Sequence, residues 1–365
     1  MKAILLVLLL AGAGSCPAQQ TTQRIPGVDD IRDAILTANA HHVEEAFQLF
    51  TNAIQLRSER LRDPALTATE KSYLYYYRGR VYQYRARVDN YLASTAAGNQ
   101  ANEKLGDEDG DAAIADFGAA IAADPSNAEA YRTRGESEWD SDSKAIADFT
   151  AALKLNSLGP EETAETYFAR GQHYEFDQPS AAIADYGSAL SLDPNYAAAY
   201  YERGKLYDKQ GHRDLAIADY SSALPLVADA PAEHFGAADV YYRRGNDEQQ
   251  ASREDLAIAD LTAAIAAPAS GWHDPNDNLG YAYDSRARIE ERKGQYNQAI
   301  ADYTKILDLN LLGPDETAQT YKERGDDYAH LGQDKKADAD HAEDREIRLD
   351  LLCNQEGFEA CSMAQ

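Results

Sequence analysis

A five-residue phrase recurs along the chain: AIADF at 113–117 and 145–149, AIADY at 182–186, 216–220 and 299–303, AIADL at 257–261, and a degenerate ADADH at 337–341. Upstream of each copy, Arg is followed by a small residue: Gly79, Gly135, Gly171, Gly204, Gly245, Ala287 and Gly325. In four of the seven, twelve positions separate the small residue from the first Ala of the phrase. Ala182 and Ala145 come one and two positions early, and the first copy is stretched to thirty-four. Self-similarity at this period implies an array of like supersecondary units, each covering the apolar face of the next.

The clearest copy is AAAYYERGKLYDKQGHRDLAIADYSSAL, residues 197–224. Gly204 opposite Ala216 lets two helices approach closely, and Tyr200 with Tyr220 fills the space beside them. The pattern of Tyr200, Gly204, Tyr207, Ala216, Tyr220 and Ala223 resembles the tetratricopeptide repeat, a helix–turn–helix unit of about 34 residues. Extending the register gives repeats near 127–156, 163–193, 197–228, 236–267, 280–310 and 318–350, with one more, interrupted, from about residue 71. DDIRDAILTANAHHVEEAFQLFTNAI supplies a first repeat, with Ala46, Phe50 and Ala53 in register. The resemblance implies an all-α, right-handed solenoid of about eight repeats over residues 30–350, followed by a tail, 351–365. Glu138, Glu248 and Glu290 stand where the family has its second aromatic, so those repeats are expected to pack more loosely or to adapt their turns.

Punctuation agrees with the repeats. DPSNAEAY and DPNYAAAY each place Pro where a helix must stop. LGPEETAETY at 158–167 and LGPDETAQTY at 312–321 are near duplicates, in which Gly is expected to close one helix and Pro to occupy an early position of the next. The main irregularity is the insertion at about 88–112, VDNYLASTAAGNQANEKLGDEDGDA. It reads as a lengthened first helix to about residue 97, then a polar turn near Gly98 and Gly106, projecting from the array.

Each Arg before the small residue has a partner in the Asp of the phrase: Arg134 with Asp148, Arg170 with Asp185, Arg203 with Asp219, Arg244 with Asp260, Arg286 with Asp302 and Arg324 with Asp340. Arg78 faces Asp116 across the insertion. In an antiparallel helix pair these positions share a height, so a ladder of structural ion pairs is expected. An active site would not recur in every repeat.

Acidic residues outnumber basic ones 62 to 35, for a formal net charge of -27. Such a surface repels phosphate backbones and argues against nucleic-acid binding. MKAILLVLLLAGAGSCPAQQ reads as an export signal: Lys2, an apolar run from Ala3 to Ala13, then small residues. Cleavage after Ala18 leaves a soluble chain beginning with a linker, 19–29; alternatively AGSC resembles a bacterial lipobox, with 1–15 removed and Cys16 acylated. The expected location is outside the cytoplasm, as a periplasmic or secreted protein or an outer-membrane lipoprotein, with membrane attachment only through such an anchor. Cys353 and Cys361 then form an even pair, read either as a disulfide closing a small C-terminal loop or as two free thiols.

Motifs for chemistry are sparse. An EF-hand register on Asp109–Gly110 would put Leu105 at the first ligand position, so GDEDGD at 106–111 reads as a solvated acidic loop. His41 and His42 are adjacent and diverge on a helix, and His173, His212, His234, His273, His330 and His341 have no metal-ligand spacing. There is no GxSxG, Walker-type loop, GxGxxG or reactive-cysteine context. No catalytic residue, metal or cofactor is expected.

The resemblance also implies a concave surface lined by the first helix of each repeat. The residue after the first core aromatic faces inward: Tyr76, Arg132, Phe168, Tyr201, Tyr242, Asp284 and Lys322. One turn on lie Arg80, Glu136, Gln172, Lys205, Asn246, Arg288 and Asp326. Tyrosines among polar groups suit a peptide or a glycan, although the same rings could pack laterally between repeats. In SYLYYYRGRVYQYRAR, residues 72–87, Tyr75, Gly79 and Tyr82 are framework and Arg78 belongs to the ladder. Tyr73, Tyr76, Arg80, Tyr84, Arg85 and Arg87 remain as a basic, aromatic end of an acidic groove. The expected function is an interaction scaffold binding a peptide or partner protein through Tyr73, Tyr76, Arg80, Arg132, Phe168, Tyr201, Lys205, Tyr242 and Arg288. A polysaccharide-binding module using the same tyrosines is the alternative, ahead of an enzyme.

Overall fold

The computed structural model describes residues 43–93, 100–138, 141–227, 235–267 and 275–356. The signal segment, the linker, Cys16 and Cys361 lie outside the described residues. The regular elements among those described are fifteen α-helices and no strand. The chain divides into two units, Met1–Pro194 and Asn195–Gln365. Unit 1 holds α1 (Val43–Arg60), α2 (Ala68–Ala93), α3 (Gln100–Ala123), α4 (Ala128–Ser137), α5 (Asp142–Leu155), α6 (Pro160–Tyr174) and α7 (Pro179–Leu192). Unit 2 holds α8 (Ala197–Lys209), α9 (Arg213–Val227), α10 (Ala237–Gln250), α11 (Glu254–Ala266), α12 (Pro275–Arg292), α13 (Tyr296–Leu309), α14 (Pro314–His330) and α15 (Asp334–Glu356). Each unit is a stack of helical hairpins: α2–α3, α4–α5 and α6–α7 in the first, and α8–α9, α10–α11, α12–α13 and α14–α15 in the second.

The phrase builds the core of every hairpin that carries it intact. Its Ala, its ring or Leu, and the Ala (Ile306 after Tyr303) one turn later all face inward: Phe149, Tyr186, Tyr220, Leu261 and Tyr303 are all 0% exposed. Burying each such side chain contributes about 1.5–3 kcal/mol. The upstream glycine is needed for helix approach: a Cβ on Gly171 or Gly204 would stand 2.7 or 2.8 Å from the ring of Tyr186 or Tyr220. Alpha1 behaves as a second helix, with Phe50 and Ala53 buried in the same register.

Helix ends follow local chemistry. The Asn127 side chain accepts from the Ala130 amide at 3.0 Å and caps α4. Pro160 and Pro314 open their helices, as expected. Gly159 and Gly313 do not close the preceding helices; they are extended N-caps, with φ near -66° and -67°. The closing residues are Asn156 and Asn310, in the left-handed region at φ 50° and 49°.

The insertion differs from its expectation. Alpha3 begins at Gln100, so the segment around Gly106 is helix and not a polar turn, while Gly98 lies outside the described residues. Helices α2 and α3 form a lengthened hairpin, and GDEDGD lies on a helix, with Gly106 and Asp109 buried. At the other end α15 runs on to Glu356, so residues 351–356 are helical. Where α11 presents Ile258 and Ile265 to the next hairpin, α15 carries exposed Asp338 and Arg345, a polar outer face suited to a terminal repeat.

Candidate functional site

All seven Arg–Asp pairs form as two-pronged forks. Arg78 holds Asp116 with both contacts at 2.7 Å, Arg203 holds Asp219 at 2.8 and 2.7 Å, and Arg324 holds Asp340 at 2.8 Å twice. Arg134, Arg170, Arg244 and Arg286 repeat the geometry. Each guanidinium also lies over the framework tyrosine three residues before it, such as Tyr200 beneath Arg203.

A third contact went unseen in the sequence. The residue following the phrase, when it is Ser or Thr, accepts from Nη1 of the next repeat's arginine. Arg170 reaches Thr150 at 3.0 Å, Arg244 reaches Ser221 at 2.9 Å, Arg286 reaches Thr262 at 2.8 Å and Arg324 reaches Thr304 at 3.1 Å. The ladder therefore links neighbouring hairpins as well as the helices within each one. Where Gly118 takes that place, Arg134 loses the contact, and a Cβ there would sit 3.5 Å from its Nη1.

The lengthened α2–α3 hairpin carries an extra rung one heptad away. Arg78, Asp116 and Ser58 are matched by Arg85, Asp109 and Thr51, seven residues along each helix, with Arg85 bridging Asp109 at 2.5 and 2.7 Å and Thr51 at 3.1 Å. This explains Arg85 and overturns the reading of Asp109 as part of a solvated loop. Asp109→Ala is expected to lower the unfolding midpoint and expose the first turns of α3 to hydrogen exchange, whereas exposed Asp107→Ala leaves both unchanged.

On the expected inner strip, two of the tyrosines are not surface rings. Tyr76 and Tyr201 are each 7% exposed. The Tyr76 ring packs on Phe117 at 6.0 Å and on Tyr77 at 5.1 Å. Tyr201 stacks on Phe235 at 4.1 Å and 3°, and its hydroxyl accepts from Arg243 Nε at 2.8 Å. Burial pushes both phenols above their ordinary range. Phe168 lies 5.4 Å from Tyr186, and Tyr242 packs on the core of Ala257 and Leu261. Tyr73 is the open ring, 46% exposed, stacked on Tyr77.

The strip's cations differ in their partners. Arg132 is held by Glu129, Glu136 and Glu165. Lys205 is held by Glu202, Arg288 by Asp284 and Glu323, and Lys322 by Asp326. Arg80 instead donates to two phenols, Tyr76 at 3.1 Å and Tyr84 at 2.5 Å, and its Nε has no acceptor. No described carboxylate lies within ion-pair distance of it.

Glu248 and Glu290, in repeats expected to pack more loosely or to adapt their turns, are 6% and 8% exposed. Each sits beside a rung, Arg244–Asp260 or Arg286–Asp302. Burial, and then Asp302, pushes Glu290 up to about 7. Cys353 is disulfide-bonded, with its partner outside the described residues. Among the described residues no cluster of three or more His, Cys, Asp or Glu is placed to hold a metal ion. No described helix is long and apolar enough to cross a membrane.

These stacked hairpins, with a small residue at each helix crossing, define a helical repeat protein. Three segments match family models: residues 99–160 and 278–311 as "Tetratricopeptide repeat", and 177–211 as "TPR repeat". Over these segments the chain carries tetratricopeptide repeats, and proteins built from such repeats are interaction scaffolds. It is similar to human tetratricopeptide repeat protein 6, 34% identical over 110 residues, which are 29% of this chain and 20% of the relative. It is also 31% identical over 113 residues to mouse protein O-mannosyl-transferase TMTC1, covering 30% of this chain and 12% of that one. These matches span only a minor part of either relative. The crystal structure of the C-terminal part of a TPR repeat-containing protein from Cytophaga hutchinsonii aligns with a TM-score of 0.52 at 16% identity, over 76% of this chain and 98% of that one. That likeness concerns the fold.

Proposed function

We propose that the protein is an exported, non-catalytic scaffold that binds an acidic segment of a partner protein on the inner face of unit 1, at the first helices α2 and α4. The observation that carries this reading is Arg80. Every other cation of the strip named above is ion-paired with a carboxylate of its own chain, while Arg80 hydrogen-bonds only to two phenols and meets Glu136 of α4 beyond ion-pair distance. A chain of net charge -27 has carboxylates to spare, so a guanidinium left without one is placed for an acid from outside. Half-exposed Tyr73 on the same helix offers an apolar surface beside it. Burial of Tyr76 and Tyr201 removes two stacking platforms that a glycan reading needs.

A photo-crosslinker at Tyr73 in the native envelope is expected to capture a specific partner bearing an acidic segment. Arg80→Gln should weaken binding of that segment by about tenfold or more, and raised salt should weaken the parent complex in the same direction. Recovery of no specific partner, or full affinity in Arg80→Gln, would sink the proposal. Export rests on the N-terminal segment and is in keeping with the disulfide at Cys353, which persists in oxidising compartments. The mass of the mature N-terminus separates cleavage after Ala18 from acylation at Cys16.

A further inference from the structure

At three repeat junctions the residue four positions after the small residue faces the residue two positions after the next small one. At the α2–α4 junction of unit 1 the pair is neutral: Gln83 donates to Ser137 at 3.1 Å. In unit 2 it is twice acid on acid. Asp208 of α8 faces Asp247 of α10 beside Tyr220, and Glu291 of α12 faces Asp327 of α14 beside Tyr303. Asp247 and Asp327 are each 2% exposed, and each has a carboxylate oxygen without a hydrogen-bond partner. The same register elsewhere carries Val81, Ser137, His173, Leu206 and Ile289, so neither carboxylate stands where another repeat has an acid.

The nearby cations are engaged elsewhere. Arg213 of α9 donates to Gln250 and Arg243 of α10 to Tyr201, both neutral acceptors, while α11 packs on α10 with its Asp260 held by Arg244. Around Asp327, Arg288 is taken by Asp284 and Glu323; Asp326, on the same helix, is paired with Lys322 and His341 of α15; and Tyr303 of α13 donates to Glu291 at 3.0 Å. A buried carboxyl group facing a second, half-buried one, with no cation paired to either, cannot ionise alongside it without a large penalty.

We propose that unit 2 is closed by protons: the α8–α10 and α12–α14 joints each keep one proton on their carboxyl pair, and its release to solvent base in alkaline medium loosens these joints while unit 1 stays packed. Supporting this, burial and then Asp208 push Asp247 up to about 8, and burial and then Glu291 push Asp327 up to about 7. The folded form therefore binds more protons than the unfolded chain between the ordinary carboxylate range and these values, so stability falls as pH rises through about 7 to 8. In unit 1, Asp89, raised to about 6 by burial and Asp109, is already ionised across that window.

The test is hydrogen exchange and thermal unfolding of the full chain at pH 6.5 and 9, at constant ionic strength and corrected for intrinsic exchange. The expected result is a midpoint lower by about 5–10 °C at pH 9, with protection lost in α10 and α14 but retained in α4 and α6. Asp247→Asn with Asp327→Asn should remove more than half of this pH dependence, Glu290 beside Arg286 accounting for the rest. Asp247→Leu, which restores the residue type of Leu206, should do so at the first joint if the amide is not tolerated. Equal loss of protection in both units, or an unchanged pH dependence in the Asn and Leu variants, would overturn the proposal in favour of general repulsion among surface carboxylates.

Discussion

Asp219→Ala is expected to destabilise unit 2 by about 2–4 kcal/mol, more than Arg203→Ala does, although the two substitutions remove the same ion pair. The Asp219 side chain is 8% exposed and that of Arg203 21%, and the fork closes at 2.8 and 2.7 Å. Removing the carboxylate strands a partly buried guanidinium over Tyr200 and Tyr207, with no other acid in reach. Removing the guanidinium instead leaves a short carboxylate that a water molecule can reach through the vacated channel, a smaller penalty. The double variant should cost less than the sum of the two, because the second substitution removes the group stranded by the first. Urea unfolding of all three chains checks this; additive losses would show that the fork contributes nothing beyond its separate halves.

The second large effect is at Tyr220, where the ring and the hydroxyl act in opposite directions. Tyr220→Ala is expected to cost about 3–5 kcal/mol, because the ring is 0% exposed against Gly204 and Tyr201 and the cavity cannot close. Tyr220→Phe should be neutral or stabilising, since the hydroxyl is buried without a partner. Phe117 and Phe149 already fill that register. The same change at Tyr303 or Tyr186 should cost about 1 kcal/mol, because those hydroxyls donate to Glu291 at 3.0 Å and Glu175 at 2.6 Å. Thermal melts of the three Phe variants discriminate; an equal loss in all three would contradict the orphaned hydroxyl.

The hairpin was legible in the sequence to the level of single pairs. Arg203 and Asp219 sit sixteen residues apart around a short turn, and only one antiparallel register brings them to the same height. The extra rung was also written there, since Arg85 follows Arg78 by seven and Asp109 precedes Asp116 by seven. It was obscured because GDEDGD, rich in Gly and Asp, resembles a loop by composition; burial against α2 overrides that preference. Tyr76 and Tyr201 were placed on the right face of their helices but not at the right depth. Phe235, beyond the end of α9, covers Tyr201, and no spacing rule ties those two residues together.

The sequence by itself determined the repeat, its small crossing residues and the Arg–Asp ladder. Within a hairpin a short turn ties position along the chain to position in space. Only the tertiary structure decided which tyrosines are buried, that Arg80 lacks a carboxylate, and that Asp208 meets Asp247 and Glu291 meets Asp327. The two carboxyl contacts lie between hairpins, where the register is set by how the buried rings of one repeat seat against the next, a property of packed volume that no spacing along the chain records.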